Sequence, residues 1–156
     1  MKLQREIQAF TLVELVLTLV LLGVLAATAA SLFSRPDAMA LLTARDQLLA
    51  TALLAQKQAL AHSGSNESTT LTLVQTNSDW RYEVRRGLVL VAERTARRAG
   101  GALLLNGAVL ANGSTVFNYS TAGALPANQA LLFRGEQNYS LCLAASGFAY
   151  AASCQP

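Results

Sequence analysis

The chain has 156 residues, a length that fits one membrane or targeting segment plus one small domain. Hydrophobic residues make up 53% and charged residues only 13%, with the apolar excess near the N-terminus, so it marks a special segment and not a large core. The net charge of +3 permits an anionic partner without demanding one.

Residues 1–9 carry Lys2, Arg5 and Glu6. From Phe10 to Phe33 the chain is apolar or small apart from Glu14 and a few Thr and Ser. As a helix this run would be about 36 Å long, enough to cross a hydrocarbon layer of ~30 Å. A secretory signal peptide has an apolar stretch of only about 7–15 residues followed by a small-residue cleavage site. The run is too long for that, although "LAATAASLF" has the composition of such a site. Basic residues before the run keep the N-terminus cytoplasmic and put the C-terminal part across the membrane. Gly23 with Ala27, and Ala26 with Ala30, are small residues four apart that let two helices approach closely. Small residues are also simply common in membrane helices.

Glu14 is the anomaly. A carboxylate costs roughly 3 kcal/mol at the centre of a membrane helix on insertion scales, and less near an end. The next basic residue is Arg35, about 31 Å along a helix. No cationic side chain further along the same helix can satisfy Glu14. A cation created at the N-terminus itself would.

The stretch "AFTLVELVLTLVLLGVLAA" closely resembles the prepilin N-terminal motif of type IV pilins and of the pseudopilins of type II secretion. The resemblance implies that a membrane prepilin peptidase cuts between Ala9 and Phe10, and that the new N-terminal Phe10 is N-methylated. It makes Glu14 the carboxylate used in subunit assembly. An α-amine is cationic near neutral pH, and the family pairs this carboxylate with the terminal amine of a neighbouring subunit. Out of axial register, both charges would be left bare at high cost in a low-dielectric layer. The implied partners are other major and minor pilins in a helical filament, the peptidase, an inner-membrane assembly platform, and membrane lipid before assembly. Two departures stand out: Ala9 where the family usually has Gly, and Ser31 where it often has Pro.

The expected organisation is a leader over 1–9, a transmembrane and filament-core helix over 10–33, an amphipathic helix over 34–63, and a periplasmic β-rich domain over 64–156. The expected location is the inner membrane, single-pass with the N-terminus cytoplasmic, and then the pilus. In "SRPDAMALLTARDQLLATALLAQKQALAH", Ser34 and Asp37 resemble a capping box, and Pro36 suits a first turn. Leu41, Leu48, Ala52, Ala55 and Ala59, with Leu42, Leu49, Leu53 and Leu60 beside them, form one helical face. "HSGSNEST" ends the helix.

From Leu71 the period changes. "LTLVQ", "WRYEVRR" and "LVLVAE" read as strands, with Trp80, Tyr82 and Val84 alternating against Arg81, Glu83 and Arg85. Arg86-Gly87, Asn106-Gly107 and Asn112-Gly113 are turn signals. "TVFNYS", "ALLFR", "YSLCLA" and "FAYAA" read as later strands. The fold class is α+β: a long N-terminal helix, half membrane and half amphipathic, packed on a C-terminal antiparallel sheet in the pilin manner. The element order looks like that of a minor subunit, and "SRPDA...ARDQLLATALLAQKQA" with the terminal "LCLAASGFAYAASC" resembles the MSHA minor pilins of the MshC group, with the GspH/FimT group of minor pseudopilins as the nearest alternative.

Cys142 and Cys154 form an even pair beside a membrane-targeting segment, which points to an oxidising compartment and a disulfide; two free buried thiols are the alternative. Asn66, Asn112, Asn118 and Asn138 fall in Asn-x-Ser sequons, read as turn chemistry and not as glycosylation sites. His62 is the only histidine, so neither a metal site nor a hydrolase triad is expected, and no enzyme activity or cofactor. "ERTARRAGG" reads as a solvated loop. Arg85, Arg86, Arg94, Arg97 and Arg98 are candidates for anion contact, as in a DNA-uptake pilin, with affinity falling steeply with salt. No aromatics interleave with them, so nucleic acid is not the expected partner.

Overall fold

The computed structural model describes residues 11–32, 36–65 and 67–155, and the side chains of those outside 28–38. The chain divides into two compact units, Met1–Pro36 and Asp37–Pro156. The first contains α1 (Leu12–Leu32). The second is built from α2 (Pro36–Ala61) and, among the described residues, nine strands. The helical stretch is described in two parts, α1 and α2, and 33–35 lie outside the described residues.

The strands are β1 (Thr69–Gln75), β2 (Asp79–Arg86), β3 (Val89–Arg97), β4 (Ala102–Leu105), β5 (Ala108–Val109), β6 (Gly113–Tyr119), β7 (Gln129–Arg134), β8 (Tyr139–Leu143) and β9 (Ala149–Tyr150). All pairings are antiparallel. They sort into two sheets and not one: β3-β2-β1-β6 and β5-β4-β7-β8-β9. After β3 the chain leaves the first sheet for the β4–β5 hairpin, then returns so that β6 pairs with β1. Strand periodicity marks a strand but not its partner, so the sequence pattern predicts the strands and not their division between two sheets.

Local chemistry explains the turns. Asn106 and Gly107 both take positive φ, 50° and 85°, as a two-residue type I′ hairpin requires. Gly87, at φ 54°, opens the tight β2–β3 turn. The segment expected as a loop from Glu93 is strand through Arg97, because Ala96 pairs with Trp80 and is buried there. A bulge between Val84 and Arg85 shifts the register of the same hairpin.

One core unites α2 with both sheets. The buried line of α2 is Leu41, Ala44, Leu48, Ala52, Ala55 and Ala59, at spacings of three and four. Ala44 extends the face read from the sequence, and Leu60 falls on its exposed rim. Trp80 on β2 meets Phe133 on β7 edge-to-face at 5.2 Å, so an aromatic pair spans the two sheets. Buried Gln75 accepts the Trp80 indole N–H at 2.7 Å and donates to the Leu110 carbonyl at 2.7 Å, leaving neither side-chain group of the pair unsatisfied.

Leu41 fixes the start of α2. Its two methyl groups lie against Gly101, after β3, and Gly135, after β7; a Cβ at either glycine would overlap them. Overpacking a filled core costs about 1–3 kcal/mol. Gly135→Ala in the full chain is therefore expected to lower the thermal midpoint by several degrees. In a Leu41→Ala background the same change should cost less than it does alone. An unchanged midpoint for Gly135→Ala would show that Leu41 moves freely and that the contact constrains nothing.

Candidate functional site

The N-terminus of α1 is built by a local signal. Thr11 stands at the N-cap, and its Oγ1 accepts the Glu14 N–H at 3.3 Å. The Thr11 carbonyl accepts the first helical bond, from Leu15 N–H at 3.1 Å. Thr11-x-x-Glu14 thus has a capping-box spacing, a signal already present in the sequence. Glu14 lies in the first turn, where the positive end of the helix favours a carboxylate by about 0.3–1 kcal/mol. Its own helix therefore does offer partial compensation, through the backbone and not through a side chain.

Above Glu14, α1 is apolar on every side. Leu12, Val13, Leu15, Val16, Leu17, Leu19 and the residues beyond to Leu25 are exposed, each by half or more. Thr18 turns its hydroxyl back to the Leu15 carbonyl at 2.8 Å, so it adds no outward polar group. A helix apolar all round needs lipid or other helices as its surroundings. Among the described residues no helix is long and apolar enough to cross a membrane. The described side chains of α1 stop at Ala27, short of the ~20 residues a span needs, whereas the apolar sequence runs on to Phe33.

The five candidate arginines do not converge. Arg85 bonds Glu83 at 3.1 Å, and Arg81 reaches the same carboxylate at 2.9 Å, so Glu83 is buried between them. Arg86 lies 2.9 Å from Glu67 and donates to His62 Nε2 at 2.6 Å. The His62 Nδ1 faces the Gln58 carbonyl at 3.0 Å, which makes Nδ1 the protonated nitrogen and Nε2 the acceptor. Arg98 bonds the carbonyls of Gly101 and Thr76 at 2.7 and 3.0 Å and the Asn112 side chain at 3.3 Å, tying three loops together. Arg94 and Arg97 lie on β3 and have no ion-pair partner among the described residues. Cross-strand pairing sets Glu83 opposite Glu93 and Asp79 opposite Arg97. The outer face of the first sheet thus interleaves acids and bases and makes no field of one sign.

Cys142, buried on β8, is bonded to Cys154 in the tail beyond β9, with Cα atoms 4.9 Å apart. The bridge closes a separation of 12 residues and adds on the order of 3 kcal/mol in the chain-entropy model. Among the described residues no group of three or more His, Cys, Asp or Glu could hold a metal ion.

Residues 5–30 match the family model of the prokaryotic N-terminal methylation motif. Comparison with the curated proteins and with the solved structures found no match. The methylation motif supports a type IV pilin-like or pseudopilin-like protein, structural in kind. It implies membrane anchoring, assembly with other pilins and processing by a prepilin peptidase. Within it, Thr11 and Glu14 have the geometry given above. Ala9 and Phe10, the expected cut and methylation positions, lie outside the described residues, as do the leader, Ser34 of the expected capping box, and Asn66.

Two tyrosines complete the electrostatics of the domain. Tyr82 on β2 and Tyr119 on β6 are buried, and neither phenol oxygen has a hydrogen-bond partner among the described residues. Burial pushes Tyr119 from 10.0 up to about 12, and Tyr82 higher still. A raised folded-state value means the neutral phenol's stabilisation is complete below pH 10 and is lost as pH rises through about 12. The domain is expected to weaken above pH 10, with Tyr119 ionising near pH 12 and Tyr82 higher still unless the chain unfolds first, as read by ultraviolet absorbance during alkaline titration. Tyr119→Phe should move that loss to higher pH without weakening the fold at neutral pH, since it removes an unpaired hydroxyl. Free ionisation of all tyrosines near pH 10 in the folded chain would contradict the burial.

Proposed function

We propose that the chain is a minor type IV pilin of the MSHA kind, added to a filament or its tip complex to support surface attachment. One observation supports the pilin part of this reading: the methylation motif over 5–30, with Glu14 held in the capped first turn of a helix otherwise apolar on every side. The MSHA kind rests only on the sequence resemblance given above. The prepilin peptidase would hydrolyse the peptide bond between Ala9 and Phe10, leaving a carboxylate on the leader and an α-amine on Phe10. Methylation of that amine keeps it basic.

The capped geometry refines the part Glu14 plays. In a lone subunit in the membrane, the helix N-terminus and nearby headgroups compensate the carboxylate. Between packed helices that compensation is thinner, and the amine of a neighbouring Phe10 supplies the missing charge. Subunits out of step would bury a carboxylate and an amine apart, a cost of several kcal/mol. On this reading Glu14 selects axial register more than it adds stability. The arginines lend no support to a DNA-uptake role, because three of the five are committed to internal contacts.

Mass spectrometry of the membrane-extracted protein should show loss of residues 1–9 and one added methyl. An intact N-terminus, or a cut near Ala30, would rule out the prepilin reading. Glu14→Ala and Glu14→Gln should both be processed normally yet enter sheared filaments at least ~10-fold less. Normal entry of either would remove the register role from Glu14.

A further inference from the structure

His62 is the only histidine in the chain, and histidine is the side chain whose charge changes between pH 5 and 8. It follows Ala61, the last residue of α2, in the turn that leads towards β1. Its partly buried ring bridges two elements. Nδ1 donates to the Gln58 carbonyl of α2 at 3.0 Å, and Nε2 accepts from Arg86 Nη1 of β2 at 2.6 Å. Through Nε, the same guanidinium lies 2.9 Å from Glu67. The three side chains thus join the last turn of α2, the approach to β1 and the end of β2.

What they hold is the tip of the β2–β3 hairpin. Beyond the bulge at Val84 and Arg85 only two pairs of that hairpin remain, Arg85 with Leu90 and Arg86 with Val89. The turn between them carries Leu88, 97% exposed. The tip is tied back by the Gly87 N–H, which donates to the Ser68 carbonyl at 2.9 Å, by the pairing of Arg86 with Thr69, and by the side-chain contacts of Arg86. A short exposed segment of this kind sits at the low end of local stability, so each tie counts.

Protonation acts on one of those ties alone. The Nδ1–H stays on the Gln58 carbonyl in either state of the ring. The added proton goes to Nε2, where the neutral ring accepts from Arg86. The bond then loses its acceptor, and two cations face each other at contact distance. Glu67 meets the guanidinium and not the ring, so it does not relieve the clash. The elements packed around the ring add little charge. β1 has no ionisable side chain, Lys57 of α2 is exposed, and Arg85 is closed over Glu83. Tyr119, opposite Thr69 on β6, is buried and neutral in this range.

We propose that His62, Arg86 and Glu67 form an acid-sensitive latch, in which Glu67 steadies the guanidinium and protonation of the imidazole frees Arg86 from α2 and loosens the hairpin tip. The bond is complete while the ring is neutral and is lost as pH falls through the imidazole range. The latch lies wholly within the folded domain and does not depend on the pilin reading.

The untagged full chain in detergent micelles has one histidine and so gives one set of imidazole signals by NMR. In Arg86→Leu the ring should bind its second proton at least ~3-fold more tightly than in the wild type. Unchanged or weaker proton binding overturns the latch. Hydrogen exchange read by mass spectrometry tests the opening. From about pH 8 to about pH 5, after correction for intrinsic exchange rates, protection over 84–92 should fall at least ~5-fold while that over β7 and β8 holds. His62→Gln and Arg86→Leu should each abolish that dependence. An intact Cys142–Cys154 link and a cooperative melt confirm that each variant folds. Wild-type protection that stays level, or an acid-driven fall that persists in either variant, overturns the latch. So does a fall spread evenly over all strands, which would be general acid unfolding. Should neither variant fold, the wild-type profile decides.

Discussion

The folded domain depends on the narrow face of α2. That face is mostly alanine, with leucine only at Leu41 and Leu48 among its fully enclosed positions. Alanine lets a helix sit close to a sheet, and large side chains from the sheets fill the space: Trp80, Tyr82 and Phe133 are wholly buried. Where α2 does carry bulk, at Leu41, the loops facing it have glycine. The helix thus presents small residues to the aromatic sheets and one large residue to two bare backbones.

Polar groups inside the same core obey a stricter rule. Gln75 links Trp80 to the Leu110 carbonyl, so the indole N–H is satisfied by a residue that also ties the chain between β5 and β6 to the first sheet. The Tyr82 and Tyr119 hydroxyls have no such arrangement. Their rings supply apolar area, and their oxygens reduce the gain. The tyrosines therefore place a ceiling on alkaline stability, while the tryptophan does not.

How much of this was legible in the sequence follows from the range of the forces involved. The helical face from Leu41 to Ala59 and the alternation of Trp80, Tyr82 and Val84 were readable because period alone decides them. Asn106-Gly107 was readable because few residues accept two successive positive φ values. Which sheet each strand joins was not, since pairing between Thr69 and Tyr119 depends on groups fifty residues apart. The extension of β3 through Arg97 was hidden for a related reason. Its charged residues read as a loop, and only Ala96 packing against Trp80 shows otherwise. At the N-terminus the reverse holds: the motif carrying Glu14 is explicit, and the Thr11-x-x-Glu14 spacing of the cap is legible beside it.

The arginines show why charge counted along a chain is a poor guide to charge in space. Arg85 and Arg86 are adjacent in sequence, yet one closes over Glu83 and the other reaches Glu67 and His62. Arg98 spends its donors on three loops. Once these contacts are accounted for, the arginines of the described residues form no concentrated basic surface. What the protein leaves uncovered is apolar: the flanks of α1 from Leu12 to Leu25 and the hairpin tip at Leu88. Nucleic acid would meet scattered charge, whereas lipid or another helix would match the apolar flanks of α1. The exposed surface of α1 is therefore apolar, as the anchoring and assembly implied by its methylation motif require.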